Sequence, residues 1–162
     1  MRGKKVIAGI LALVTLLSAV GVAVAAEPEG LAAVRAATSR FHRVEVAQAA
    51  GYKELKGCFA QPGIGGMGHH YVNFDTVDLT IDALHPEAMV YAPGPQGQLQ
   101  LGAVEYIVPA ALWDAGHSQP PSLFGHQFLV DDDFGTYELH VWLWQSNPLG
   151  MFEPWNPRVT CP

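Results

Sequence analysis

Apolar residues run almost unbroken from position 6 to position 24, recur at helical spacing through position 48, and alternate in short runs thereafter. In residues 31–50, Ala33, Ala37, Phe41, Val44 and Gln48 fall on one stripe, which predicts a single helix. Gly51 stands where a left-handed cap is expected. His42 lies off the stripe and reads as solvated. Beyond Tyr52 the spacing changes to period two, with strands expected over 69–74, 88–91, 99–108, 124–130 and 137–144. Pro93-Gly94-Pro95-Gln96-Gly97 is a turn between two of them. Residues 110–115 read as one helical turn. Residues 147–162, with two Asn-Pro steps, read as an irregular wrap over the sheet. The expected fold is α+β: an N-terminal helix packed on an antiparallel β-sheet or a small, partly closed β-barrel.

The first apolar run has a different meaning. Arg2, Lys4 and Lys5 precede it and Ala23-Val24-Ala25 follows it, the layout of a signal peptide over 1–25. A cut after Ala26 is the neighbouring choice, and an uncleaved anchor is the alternative, since ~18 apolar residues span a bilayer. Residues 26–30 then form a linker and 31–162 one globular domain. The expected location is secreted or periplasmic, with no membrane contact after cleavage. Export makes a Cys58–Cys161 disulfide the natural state of the two cysteines. Closing a loop of 103 residues contributes ~4 to 5 kcal/mol in the chain-entropy model.

Charge narrows the function classes. Signal removal takes three of nine cations and leaves fifteen carboxylates against six Lys and Arg. Such a surface repels phosphate backbones, so nucleic acid is an unfavourable partner. No feature of the chain points to a particular protein partner. Between Gly57 and Pro157 there is no lysine or arginine, yet this stretch holds eleven carboxylates and six of the seven histidines. A buried carboxylate there must be protonated, hydrogen-bonded or bound to a cation, because desolvating it alone costs several kcal/mol.

Strand parity says which polar residues face inward. Glu105 shares its face with Leu99, Leu101, Ala103 and Ile107. His70 alternates with Val72 and Phe74. His140 lies on a face with Glu138, Trp142 and Trp144, opposite Tyr137, Leu139, Val141 and Leu143. Three strands thus direct His70, Glu105 and His140 inward. Two imidazoles and a carboxylate are a ligand set for catalytic zinc or non-haem iron, and copper or nickel also accepts it. Tyr106, Trp142 and Trp144 are the expected aromatic pocket around the ion. His69 faces the other side and ranks behind His70, while His126 and His117, in or near loops, are further candidates to complete the shell. His85, before Pro86, reads as a surface residue.

Three functions fit this pattern. The domain binds a transition metal at the cell exterior; or it is a metal-dependent oxygenase or hydrolase, with Glu138 as the general base; or the cluster is a hydrogen-bonded polar core in an envelope interaction protein. Gly63, Gly65 and Gly68 match G-x-G-x-x-G, but a Cys58-Phe59-Ala60-Gln61-Pro62 stretch precedes them and a strand, not a helix, follows, so the dinucleotide reading fails. Asp131-Asp132-Asp133 lacks EF-hand spacing and reads as a hairpin loop ending at Gly135. There is neither a nucleophile elbow nor an H-E-x-x-H helix.

Several segments carry a resemblance: Ala37-Thr38-Ser39-Arg40-Phe41 through Ala50-Gly51-Tyr52, Gly66-Met67-Gly68-His69-His70-Tyr71-Val72-Asn73, Val104-Glu105-Tyr106, and Leu139-His140-Val141-Trp142 with Asn147-Pro148-Leu149-Gly150-Met151-Phe152 and Trp155-Asn156-Pro157. Across most of the mature chain they resemble a group of secreted bacterial proteins to which no activity is assigned. The resemblance implies export and a shared domain. The H-x-H-x-E spacing of cupins is missing.

Overall fold

A computed structural model describes residues 28–162, so the expected signal segment and cleavage site lie outside the described residues. The N-terminal part holds α1 (Leu31–Thr38), a 3-10 turn (Ser39–His42) and α2 (Val44–Ala49). The strands β1 (Lys53–Glu54), β2 (Phe59–Gln61), β3 (Gly65–Val72), β4 (Ala88–Pro93) and β5 (Leu99–Pro109) follow. The chain continues through α3 (Ala110–Asp114), β6 (Ser122–Leu123), β7 (His126–Gln127), β8 (Leu129–Asp131) and β9 (Thr136–Val141). The sheet order is β1-β3-β4-β5-β9-β8, with β2 also on β3, and every pairing is antiparallel. The sheet stays open, so of the two architectures expected the barrel is ruled out and the helix-on-sheet α+β fold is present.

The single helix expected over 31–50 is broken. Arg43 is extended (φ −96°, ψ 117°), and the carbonyl of Phe41 accepts a 2.7 Å hydrogen bond from the Tyr91 hydroxyl instead of closing a helical turn. The kink turns inward Leu31, Val34, Thr38, Phe41 and Ala47, so that of the expected stripe only Phe41 is fully buried. The strand expected over 124–130 is likewise divided into β7 and β8, and Phe128 between them is buried in the main core. Phe74 lies past the end of β3 and is exposed, not inward.

The sheet has two different faces. On one, α1 and α2 cover Tyr71, Met89, Tyr91, Leu101, Val104, Tyr106, Val108, Leu139 and Val141. The other carries His70, Val90, Ala103, Glu105, Ile107 and His140, as alternation along the strands requires. Strand β5 does not keep one parity throughout. Opposite Val90 and Tyr91 its register skips Gly102, a bulge that moves Leu99 and Leu101 to the helix face while Ala103, Glu105 and Ile107 stay on the other. The same bulge captures the far end of the β9 chain: the amides of Trp144 and Gln145 both donate to the Gly102 carbonyl.

The second face is roofed by β2 and by the C-terminal segment. Gly66 and Asn156 exchange backbone hydrogen bonds of 3.1 and 2.9 Å. A Cβ on Gly65 would lie 2.4 Å from the Asn156 carbonyl oxygen, and only glycine permits this approach. The Cys58–Cys161 disulfide is formed and ties the two roof pieces together.

Candidate metal centre

Strands β3, β5 and β9 supply the cluster, with β4 lying between β3 and β5. Glu105 of β5 is directly opposite His140 of β9 in the register. His70 of β3 is opposite Val90 of β4, one strand further from β5. The facing residues between them, Ala88 and Ala103, are fully buried and small, which leaves their volume to the imidazoles and the carboxylate. His70, Glu105 and His140 are 5%, 2% and 3% exposed, so none is hydrated by bulk water.

The ligand atoms converge on one point. One atom from each side chain lies within 4.8 Å of the other two. His70 Nε2 and His140 Nε2 are 3.1 Å apart, Glu105 Oε1 is 3.2 Å from His140 Nε2, and Glu105 Oε2 is 3.7 Å from His70 Nε2. An ion bound at roughly 2.0 to 2.1 Å in tetrahedral geometry has ligand–ligand edges of about 3.3 Å. The 3.1 and 3.2 Å separations lie close to that edge, and the 3.7 Å one, made to the other carboxylate oxygen, is longer. A fourth vertex belongs to none of the three.

Burial dominates the electrostatics. Desolvation pulls the His70 imidazole down to about 4, and it holds His140 well below its ordinary value, with the neighbouring His70 adding to the effect. Both rings are therefore neutral at pH 7, the form that ligates a metal. Desolvation also pushes the Glu105 carboxyl well above the ordinary range, reinforced by the Glu138 charge beside it. Polar satisfaction is incomplete: His70 Nδ1 and Glu105 Oε1 are buried and make no hydrogen bond. Orphaned buried polar atoms are rare in folded proteins because each costs about 1–3 kcal/mol. A cation beside Glu105 Oε1 removes that cost.

Two cavities open on the cluster. One of about 140 Å³ is lined by His70, Glu105, Glu138, Asp131, Asp133 and an apolar set that includes Phe59 and Trp155. One of about 350 Å³ reaches His140 from the other side and shares Met67, Asp131, Asp133, Glu138 and Trp155. Glu138 lies two residues before His140 on the same face, its carboxyl raised by burial and its Oε1 accepting a 2.7 Å hydrogen bond from the Thr136 hydroxyl.

The remaining site candidates fall elsewhere. Tyr106 points to the helix face and its hydroxyl donates to the Ala83 carbonyl at 2.7 Å. Trp142 packs with Val90, Ala92, Ala103 and Val159, and its indole donates to the Glu153 carbonyl. Trp144 turns toward the helices, 4.3 Å from the His42 ring and under the Arg35 guanidinium. None of these three lines either cavity beside the cluster. His69 Nδ1 is hydrogen-bonded to Glu54 Oε1 at 2.8 Å. His117 stacks on Trp113 and His126 on Phe152, both exposed and apart from the ligand cluster. His85 is exposed and pairs with Asp82 at 2.8 Å.

The aromatic wall the sequence assigned to Trp142 and Trp144 is made instead by Phe59, Phe134 and Trp155. Strand parity cannot find these residues, since Phe59 and Trp155 come from the roof and Phe134 from the turn between β8 and β9. The signal was the glycine run before His69, which admits the C-terminal segment against β3. Asp131 and Asp133, read as a solvated turn, do form that turn, with the Asp131 Oδ1 accepting from the amides of Asp133 and Phe134. They also line both cavities. Compared with known proteins, the chain matches no protein-family model, no curated protein and no solved structure.

Proposed function

We propose that this chain is an exported protein that binds one divalent transition-metal ion through His70, Glu105 and His140. The observation that carries the reading is the set of separations at 3.1, 3.2 and 3.7 Å between two imidazole nitrogens and a carboxylate, all on buried side chains. Zinc, copper and iron all take such a donor set. The basic and then apolar N-terminal segment and the Cys58–Cys161 bridge support export.

Elemental analysis of protein recovered from its exported state tests this directly. Near-stoichiometric metal, lost in His70→Ala and in His140→Ala, is the expected result. A folded, metal-free protein that takes up no zinc, copper or iron on dialysis overturns it and leaves the cluster as a structural polar network.

A second reading is favoured by the cavities. Three protein ligands leave a coordination position open, and Glu138 shares the adjoining cavity. A carboxylate so placed can take a proton from a metal-bound water, the arrangement of a metal-dependent hydrolase. Ester or amide turnover by the metal-loaded protein, abolished in Glu138→Gln with metal content unchanged, is the result this reading requires.

A further inference from the structure

We infer that the site selects its ligands by charge: small neutral or cationic molecules about one aromatic ring wide reach the bound ion, and anions are turned away. This deepens the metal reading and rests on it. Both cavities that reach the cluster are lined by Asp131, Asp133 and Glu138. Asp131 is held in place by the two amides it accepts from, so its charge is fixed relative to the opening. Deeper in, the lining includes Glu105, a residue 2% exposed whose buried Oε1 makes no hydrogen bond.

No cation offsets these groups among the lining residues. The sequence has no lysine or arginine from Gly57 to Pro157. Lys56 is exposed, with Nζ 5.7 Å from the Phe59 ring centroid, and it lines neither cavity. Arg158 faces a different groove and donates to the Ser146 hydroxyl. An acidic cleft with low-dielectric walls focuses its potential, attracting cations and repelling anions. The walls set the shape. Phe59, Phe134, Trp155 and Met67 enclose a space of about 140 Å³, and aromatic faces favour a cationic or neutral ring over an anionic one. Phosphate esters and carboxylate co-substrates are the chemical classes excluded.

The test uses the exported protein loaded with cobalt(II), whose visible bands report both binding of the ion and entry of a further ligand. Three probes share one pyridine donor and differ in side-group charge: 3-(aminomethyl)pyridine, 3-methylpyridine and nicotinate. None of them chelates a single ion. We expect the cationic and neutral probes to shift the bands and nicotinate to bind more weakly by about tenfold or more. Added salt narrows the gap in the unaltered protein, and Asp133→Asn combined with Glu138→Gln narrows it further. If cobalt(II) bands appear but nicotinate binds as well as 3-methylpyridine, charge selection is overturned while the metal reading stands. If the bands appear and no probe shifts them, the ion has no ligand access and the inference fails too. If no cobalt(II) bands form, both readings fall.

Discussion

The two faces of this sheet are built from the same strands and solve burial in opposite ways. On the helix face, the core tyrosines bring their polar atoms in with a partner, the hydroxyls of Tyr52, Tyr91 and Tyr106 donating to the carbonyls of Pro86, Phe41 and Ala83, and the Trp144 indole nitrogen is the exception, buried without one. On the other face, two imidazoles and a carboxylate crowd together, and His70 Nδ1 and Glu105 Oε1 go without hydrogen bonds. The first pattern holds a fold together. The second sacrifices stability where the residues concerned are good metal ligands, which is the expected signature of a functional site.

The contrast can be broken at several points. Removing the bridge with Cys58→Ala and Cys161→Ala should cost ~4 to 5 kcal/mol in urea unfolding and lower metal affinity, because both anchors of the roof are released. Equal loss of stability with unchanged metal affinity would mean the roof is not part of the site. His140→Ala should weaken zinc binding by at least about 100-fold, or about 3 kcal/mol, in a competition assay with a chromogenic chelator. Met89 on the helix face is the control, since Met89→Ala should lower stability by about 2–5 kcal/mol and leave metal affinity alone.

A subtler contrast lies in Glu87, buried at 4% exposure with Oε2 accepting from the Ile107 amide at 3.0 Å. Burial raises its carboxyl to about 7. The native state therefore holds a proton that the unfolded chain releases near the ordinary value of 4.5, so this contribution to stability is fully present below that value and is lost as pH rises through about 7. Glu87→Gln keeps the acceptor and removes the titration. It should flatten stability between those limits and raise it at pH 8 by about 2 kcal/mol, measured as urea midpoints across pH. The smallest effect expected is that of Tyr106→Phe, which leaves the Ala83 carbonyl without its donor and should cost about 1 kcal/mol in thermal unfolding.

The parts of this architecture that depend on local alternation were readable from the chain. The inward direction of His70, Glu105 and His140 follows from strand parity, because each has a large apolar residue two positions on: Val72, Ile107 and Trp142. What parity could not supply is anything that interrupts a period. The Gly102 bulge reverses the facing of Leu99 and Leu101, and the break at Arg43 replaces one helical stripe with two. Both are stabilised by contacts far away in sequence, the amides of Trp144 and Gln145 in one case and the Tyr91 hydroxyl in the other. Trp144 illustrates the cost: counted as the fourth inward residue of a strand, it lies past the end of β9 and swings to the opposite side.

The bridge between Cys58 and Cys161 joins partners 103 positions apart, and the later one closes the roof over the ligand cluster. The chamber is therefore finished only after the C-terminus has been made and where thiols are oxidised. On the proposed reading of an exported metal-binding protein, the ion would be taken from the supply outside the reducing interior of the cell, and the timing of oxidation would count beside intrinsic affinity in deciding which ion is held.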